Sequence, residues 1–326
     1  MVISVSHLTK HFKVYKKEPG LAGSLRSLFA RKYETLKAVE DVSFDIDEGE
    51  LIGFIGPNGA GKTTTLKCLS GLLYPTSGKV DVLGFTPFDR KSAFLKQIAL
   101  VMGQKNQLWW DLPAIDTFIL NKEIYEISKK RFDEIVNDLA SLLDIEEQLR
   151  VPVRKLSLGQ RMKMELIASL IHSPKVLFLD EPTIGLDVVM QKKIREFLRE
   201  YNQKYKATIL LTSHYMRDVE DLCKRVIVIN FGKIIYDGKL SALVEKYAPY
   251  KHISVVFGKY VDPKKLEGFG ELIKFEHPQW VINVSKEESN EIAAKILKQF
   301  PIEDITIEEP DIEEVIREVF LTHKLS

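Results

Sequence analysis

The stretch Gly56-Pro57-Asn58-Gly59-Ala60-Gly61-Lys62-Thr63-Thr64 matches the phosphate-loop pattern G-x-x-x-x-G-K-[ST] at every fixed position. The motif constrains the fold, because it works only between a strand and a helix. Leu51-Ile52-Gly53-Phe54-Ile55 reads as a buried strand, and Thr64-Thr65-Leu66-Lys67-Cys68-Leu69 as the start of a helix. Glycines let backbone N–H groups crowd around phosphates, and a helix N-terminus adds partial positive charge. Lys62 would then reach the β- and γ-phosphates of a nucleotide, with the Thr63 hydroxyl on Mg²⁺. A glycine-rich turn that matched by chance would need neither flank.

With 326 residues and 45% hydrophobic content the chain can bury ordinary cores, and its length suits two domains. Lys and Arg number 47 against 46 Asp and Glu, a formal charge of +1, so bulk electrostatics gives no case for a nucleic-acid partner. No apolar run approaches the roughly 20 residues of a membrane helix, and Met1-Val2-Ile3-Ser4-Val5 lacks the sections of a signal peptide. The expected location is the cytoplasm, at the membrane only through a partner. Cys68 and Cys223 lack metal-site spacing and read as reduced, packed thiols.

Along the chain, Val2 to Val5 alternates like a strand, and Leu8 to Tyr15 carries Phe12 and Tyr15, whose ordinary role would be core packing. From Lys16 to Lys37 a basic stretch with Leu21, Leu25, Leu28 and Phe29 at helical spacing reads as an amphipathic insertion. It is either a membrane-facing element or a hairpin docked on its own domain. Val42 to Ile46, Val80 to Leu83 and Ile98 to Met102 read as strands, the last leading to Gln104. Residues of about 105–160 turn helical, with Phe132, Ile135, Val136, Leu139 and Leu143 on one face. Ser157 is a plausible N-cap for a helix bearing Met164, Ile167, Ala168 and Ile171. Val176 to Leu179 is a fully apolar strand running into Asp180-Glu181, and Thr208 to Thr212 is a strand ending at Ser213-His214. Strands alternating with helices predict an α/β fold with a largely parallel sheet. Ligands then lie beyond the strands' carboxyl ends, where Gly56, Gln104, Asp180-Glu181 and His214 fall. After Leu240 the pattern changes to short strands and two helices, a separate small α+β domain over 241–326.

The order of phosphate loop, Gln104, helical insertion, Ser157-Leu158-Gly159-Gln160, Asp180-Glu181 and His214 resembles the ATP-binding cassette of ABC transporters over residues 1–240. That resemblance implies the following roles. Asp180 would hold Mg²⁺ with Thr63 and Gln104, Glu181 would polarise the attacking water, and His214 would contact the γ-phosphate. Ser157, Gly159 and Gln160 look like the signature that binds the γ-phosphate of an opposite subunit, with Leu158 where glycine is usual. Asp187, in Ile184-Gly185-Leu186-Asp187, would cross the same interface, and Phe12, or Tyr15 in its place, would stack on adenine. One chain would therefore carry half of each site, and the partner would be a second cassette, expected to be identical.

The phosphate-loop wording, Tyr236-Asp237-Gly238-Lys239 and Pro310 to Phe320 further resemble stand-alone ATPases that serve ABC-2 type membrane permeases, many of them exporters. The terminal domain would then be regulatory or dimer-forming. Trp109 and Trp110 would either anchor a permease helix or be buried within the helical insertion. An ABC-type ATPase acting on nucleic acid or ribosomes is the competing reading. The chain shows neither long coiled coils before the signature nor a second cassette, and its charge is near neutral.

Overall fold

A computed structural model describes residues 1–15, 33–103 and 107–322. The chain divides into two compact units, Met1–Gly238 and Lys239–Ser326.

In the first unit, β1 (Ile3–Tyr15) pairs antiparallel with β2 (Tyr33–Ile46), ahead of β3 (Leu51–Ile55), α1 (Lys62–Leu69), β4 (Ser77–Val82) and β5 (Ile98–Met102). Then come α2 (Ala114–Ile124), α3 (Lys129–Leu143) and α4 (Leu158–Leu170). The rest of the unit is β6 (Val176–Asp180), α5 (Val188–Tyr205), β7 (Thr208–Thr212), α6 (Met216–Leu222), β8 (Arg225–Asn230) and β9 (Lys233–Lys239). Six strands form one sheet in the order β5-β6-β7-β3-β8-β9, with parallel pairing from β5 through β8. Every residue of β6 and β7 is buried, as expected for strands covered on both faces.

The parallel sheet is only part of the architecture. β2-β1-β4 is a separate antiparallel sheet, so the strands at Val2, Val42 and Val80 do not join the parallel one. The difference is visible in the side chains. β2 alternates, burying Val42, Phe44 and Ile46 between exposed Asp41, Ser43 and Asp45, the pattern of a sheet with one wet face. Both sheets and α1 contribute to one buried cluster, with Ile3, Val5 and Phe44 from the antiparallel sheet, Leu66 and Leu69 from α1, and Ile52 and Phe54 from β3. Phe44 and Phe54 lie ring to ring, their centroids 5.8 Å apart.

The basic insertion is shorter than the composition suggests. Residues 33–37 belong to β2, with Leu36 opposite Phe12 and Tyr33 opposite Tyr15, because β1 and β2 continue as a long hairpin. The remainder, 16–32, and Gln104 lie outside the described residues. α3 buries Phe132, Ile135, Val136, Leu139 and Leu143, and Ser128 caps it by accepting the Arg131 N–H. Among the described residues no helix is long and apolar enough to cross a membrane.

The second unit contains α7 (Leu240–Tyr247), β10 (Tyr250–Phe257), β11 (Glu271–Glu276), β12 (Gln279–Ser285), α8 (Ser289–Gln299), β13 (Ile302–Glu308) and α9 (Ile312–Thr322). Its strands form one antiparallel sheet in the order β11-β12-β10-β13. Ile253, Val255 and Phe257 of β10 alternate toward a core with Trp280, Ile282, Val284 and Ile296. The rings of Phe257 and Trp280 meet edge to face at 5.0 Å. Trp280 is the largest fully buried side chain described, so Trp280→Ala should cost about 3 to 5 kcal/mol in the urea transition of this unit. A loss below about 1 kcal/mol would show that the core can close around the gap.

Candidate functional site

The phosphate loop turns off the end of β3, whose neighbours are β7 and β8. Gly61 is the N-cap of α1 with φ 111°, and Gly59 has φ 79°, so both occupy backbone that side chains resist. At Gly56 an added Cβ would fall 2.2 Å from the Ile229 carbonyl oxygen. Here the constraint is close backbone approach. The helix begins at Lys62, two residues earlier than the sequence suggests, which brings Lys62 and Thr63 into its first turn. The Lys62 ammonium donates to the carbonyls of Gly56 at 2.6 Å and Pro57 at 3.1 Å. Burial holds its pKa below the usual lysine value, opposed by the nearby carboxylates of Glu181 and Asp180.

β6 brings the acidic pair. Asp180 is buried and accepts from two hydroxyls, Thr63 at 2.8 Å and Thr212 at 2.8 Å. Glu181 follows with φ 57°, an unusual conformation for a residue with a side chain, held by its N–H donating to the carbonyl and hydroxyl oxygens of Thr212, both at 3.1 Å. Its carboxylate meets His214 Nε2 at 2.7 Å. A cleft of about 250 Å³ lies over the loop, walled by Phe12, Leu36, Lys37 and Ala38, by residues 59–64, and by Glu181. Tyr15 lies further along β1, against Tyr33, and outside that wall.

Ser157 caps α4. Its hydroxyl accepts the Gln160 backbone N–H at 3.2 Å, and the Gln160 side-chain Oε1 accepts the Ser157 N–H at 3.0 Å. Gly159 packs so closely that an added Cβ would lie 2.7 Å from the Met190 side chain. Asp187 caps α5, accepting the Met190 N–H at 2.8 Å. Exposed Leu158, Val188 and Val189 flank these two helix starts. None of the four residues 157–160 lines the cleft over the phosphate loop.

Trp109 and Trp110 are 52% and 47% exposed, so they are not buried within the helical layer. Trp110 carries the Arg161 guanidinium over its ring at 4.9 Å. Glu165 of α4 is buried and accepts the N–H groups of Gln107 at 2.9 Å and Leu108 at 3.2 Å. Burial raises its pKa, partly offset by those hydrogen bonds.

Sequence reasoning missed Thr212 and Gly103. Thr212 is an ordinary strand residue until β7 is placed beside β6. Gly103 donates its N–H to the Asp180 carbonyl at 2.9 Å, and an added Cβ would sit 2.1 Å from the Glu181 carbonyl oxygen.

A phosphate loop at a strand-to-helix turn, with Asp and Glu ending the next strand but one and a histidine ending the strand between, defines a P-loop ATPase. The family described as "ABC transporter" matches residues 39–184, and "EvrA-like ABC transporter, C-terminal domain" matches residues 249–308. The ABC transporter ATP-binding protein NatA of Bacillus subtilis is 34% identical over 67% of this chain and 88% of its own length. The Nod factor export ATP-binding protein I of Burkholderia orbicola is 34% identical over 66% of this chain and 70% of its own. A solved dimeric ATP-binding cassette bound to ADP and phosphate shares the fold, with TM-score 0.60 and 23% identity, over 73% of this chain and 98% of that one. The chain belongs to the ATP-binding subunits of ABC transporters, and it binds and hydrolyses ATP.

Gly103→Ala should separate the ends of β5 and β6, lowering ATP turnover about 10- to 100-fold while leaving ATP affinity nearly unchanged. Steady-state kinetics paired with equilibrium ATP binding checks this. Wild-type turnover would show that the backbone relaxes harmlessly.

Proposed function

We propose that the chain works as a pair of identical cassettes that close on ATP and drive export through a separate ABC-2 type permease. The observation that carries the reading is that the triphosphate cleft takes its wall from Phe12, the loop and Glu181 but nothing from residues 157–160. Ser157, Gly159 and Gln160 then serve the γ-phosphate bound by the opposite copy, through the N–H groups at the start of α4. Asp187 lies at that interface. Phe12 offers the face for adenine. Pro57, Asn58, Gly59, Ala60, Gly61 and Thr64 wrap the phosphates with their backbone, and Lys62 turns from the loop carbonyls to phosphate oxygens.

For Mg²⁺, the donor set fits. Thr63 and Asp180 bring two hard oxygens within 2.8 Å of one another, and Mg²⁺ takes one or two protein oxygens with water and phosphate completing its shell. Gln104 is proposed as a third contact. The ion supplies charge neutralisation for the phosphates. Glu181 orients and polarises the water, and His214, already paired with Glu181, keeps the two aligned.

Partner docking falls to the exposed aromatic segment after Gln107. A groove of about 450 Å³ is lined by Leu72, Met102, Gln107, Asn121, Tyr125 and His172, and Trp109 and Trp110 stand exposed just beyond Gln107. These features suit an amphipathic helix of a membrane subunit, which would hold the chain at the cytoplasmic face. Direction rests on the relative named for Nod factor export and on the ABC-2-like wording of the sequence. The second unit, a four-stranded sheet with its own core, is assigned to regulation or dimerisation.

Glu181→Gln should bind ATP, accumulate as a dimer in size-exclusion chromatography and turn over at least about 100-fold more slowly. Undiminished turnover would mean that another group activates the water. Trp109→Ala with Trp110→Ala should leave ATP binding intact but uncouple hydrolysis from transport in membranes holding the permease, and normal transport would contradict the docking assignment.

A further inference from the structure

Close to the Glu181–His214 pair in sequence lies a buried polar cluster, none of whose residues lines the cleft over the phosphate loop. Asp218, on the first turn of α6, is 1% exposed. Its Oδ2 accepts the Thr183 hydroxyl at 2.5 Å and the Ser213 hydroxyl at 2.7 Å, and its Oδ1 accepts Arg195 Nη1 at 2.9 Å. Thr183 is two residues beyond Glu181, Ser213 immediately precedes His214, and Arg195 belongs to α5, the helix capped by Asp187. Ser213 also accepts the Tyr215 N–H at 3.0 Å, which fixes the turn that carries His214. Arg195 is itself buried, with its Nε donating to Asp221 at 2.8 Å.

We infer that Asp218 is a positioning residue for hydrolysis, a buried carboxylate that links the turns carrying Glu181 and His214 to the helix capped by Asp187. The proposal rests on the reading of Glu181 and His214 as the hydrolytic pair. The chemistry favours a carboxylate here. Three donors converge from three separate elements, and an ionised Asp offers acceptors on both oxygens, whereas an amide offers only one acceptor atom. Glu181 sits on left-handed backbone that its surroundings must maintain, and Thr183 is the nearest downstream side chain tied to a buried partner. If Asp218 relaxes its hold, Thr183 and Ser213 lose their shared anchor, and the Glu181 and His214 side chains are aligned only by the Thr212 bonds and their own ion pair. Displacements of about 1 Å at such groups can cost on the order of 100-fold in rate. The phosphate loop makes no contact with this cluster in the hydrogen bonds above, so ATP affinity should be spared.

The test uses the full chain and separates kcat from KM. Asp218→Asn should lower kcat about tenfold or more, with KM for ATP and equilibrium ATP affinity within about twofold of wild type. Thr183→Val and Ser213→Ala each remove one arm while keeping the Asp218–Arg195 ion pair, so they stay informative even if Asp218→Asn does not fold. Each should lower kcat with KM preserved, and Thr183→Val should add little in an Asp218→Asn background, as expected for residues acting as a unit. A purely structural role would lower the unfolding midpoint of these variants but leave kcat of the folded protein at wild type, and that result overturns the proposal. Equal losses in kcat and ATP affinity would also overturn it. Glu181→Gln run in parallel tells the two failures apart: if it alone is inactive the error lies with Asp218, and if it turns over normally the error lies with the hydrolytic pair.

Discussion

Asp180 is the fixed point of the first unit. It sits at the end of a fully buried strand, and both of its oxygens are held, one by Thr63 from the phosphate-loop helix and one by Thr212 from the neighbouring strand. A buried carboxylate with such partners tolerates little movement. Register does the rest. Met102, Asp180 and Thr212 are consecutive partners across β5, β6 and β7, so Gly103, Glu181 and Ser213-His214 emerge side by side. A slip of one residue would turn each of these side chains to the opposite face of the sheet.

The cleft's charged groups are bonded within the protein. The Lys62 ammonium is bonded to loop carbonyls, and Glu181 is bonded to His214. Burial depresses the Lys62 pKa, and a phosphate bound beside it, as proposed, would supply a counter-charge that favours the protonated form. On the proposed reading, binding would exchange these polar contacts for phosphate contacts, over a loop whose glycine conformations are set by the fold.

Much of this was legible in the chain because the relevant groups are local. The phosphate loop, the Asp180-Glu181 pair after four apolar residues and the Ser157 cap each depend on residues within a few positions of one another. What escaped was long-range. Thr212 matters only once β7 lies against β6, and Glu165 meets Gln107 across 58 positions of sequence. Gly103 is read correctly only when the Glu181 carbonyl is placed beside it. The antiparallel sheet was harder to foresee, since β1, β2 and β4 are interleaved in sequence with strands and helices of the parallel layer. The alternating burial of β2, set against the unbroken burial of β6 and β7, is the signal that distinguishes the two sheets.

In the proposed pair each site is completed by two copies, one giving the phosphate loop and the other the Ser157 helix start. Mixing two inactive full-length variants tests it most directly, Lys62→Ala in one and Ser157→Arg in the other. In a mixed pair one site joins an intact Lys62 to an intact Ser157, so ATP turnover should reappear on mixing and rise as the two variants approach equal amounts. No recovery at any ratio, with both variants folded and able to associate, would contradict shared sites, as would full turnover by Ser157→Arg alone.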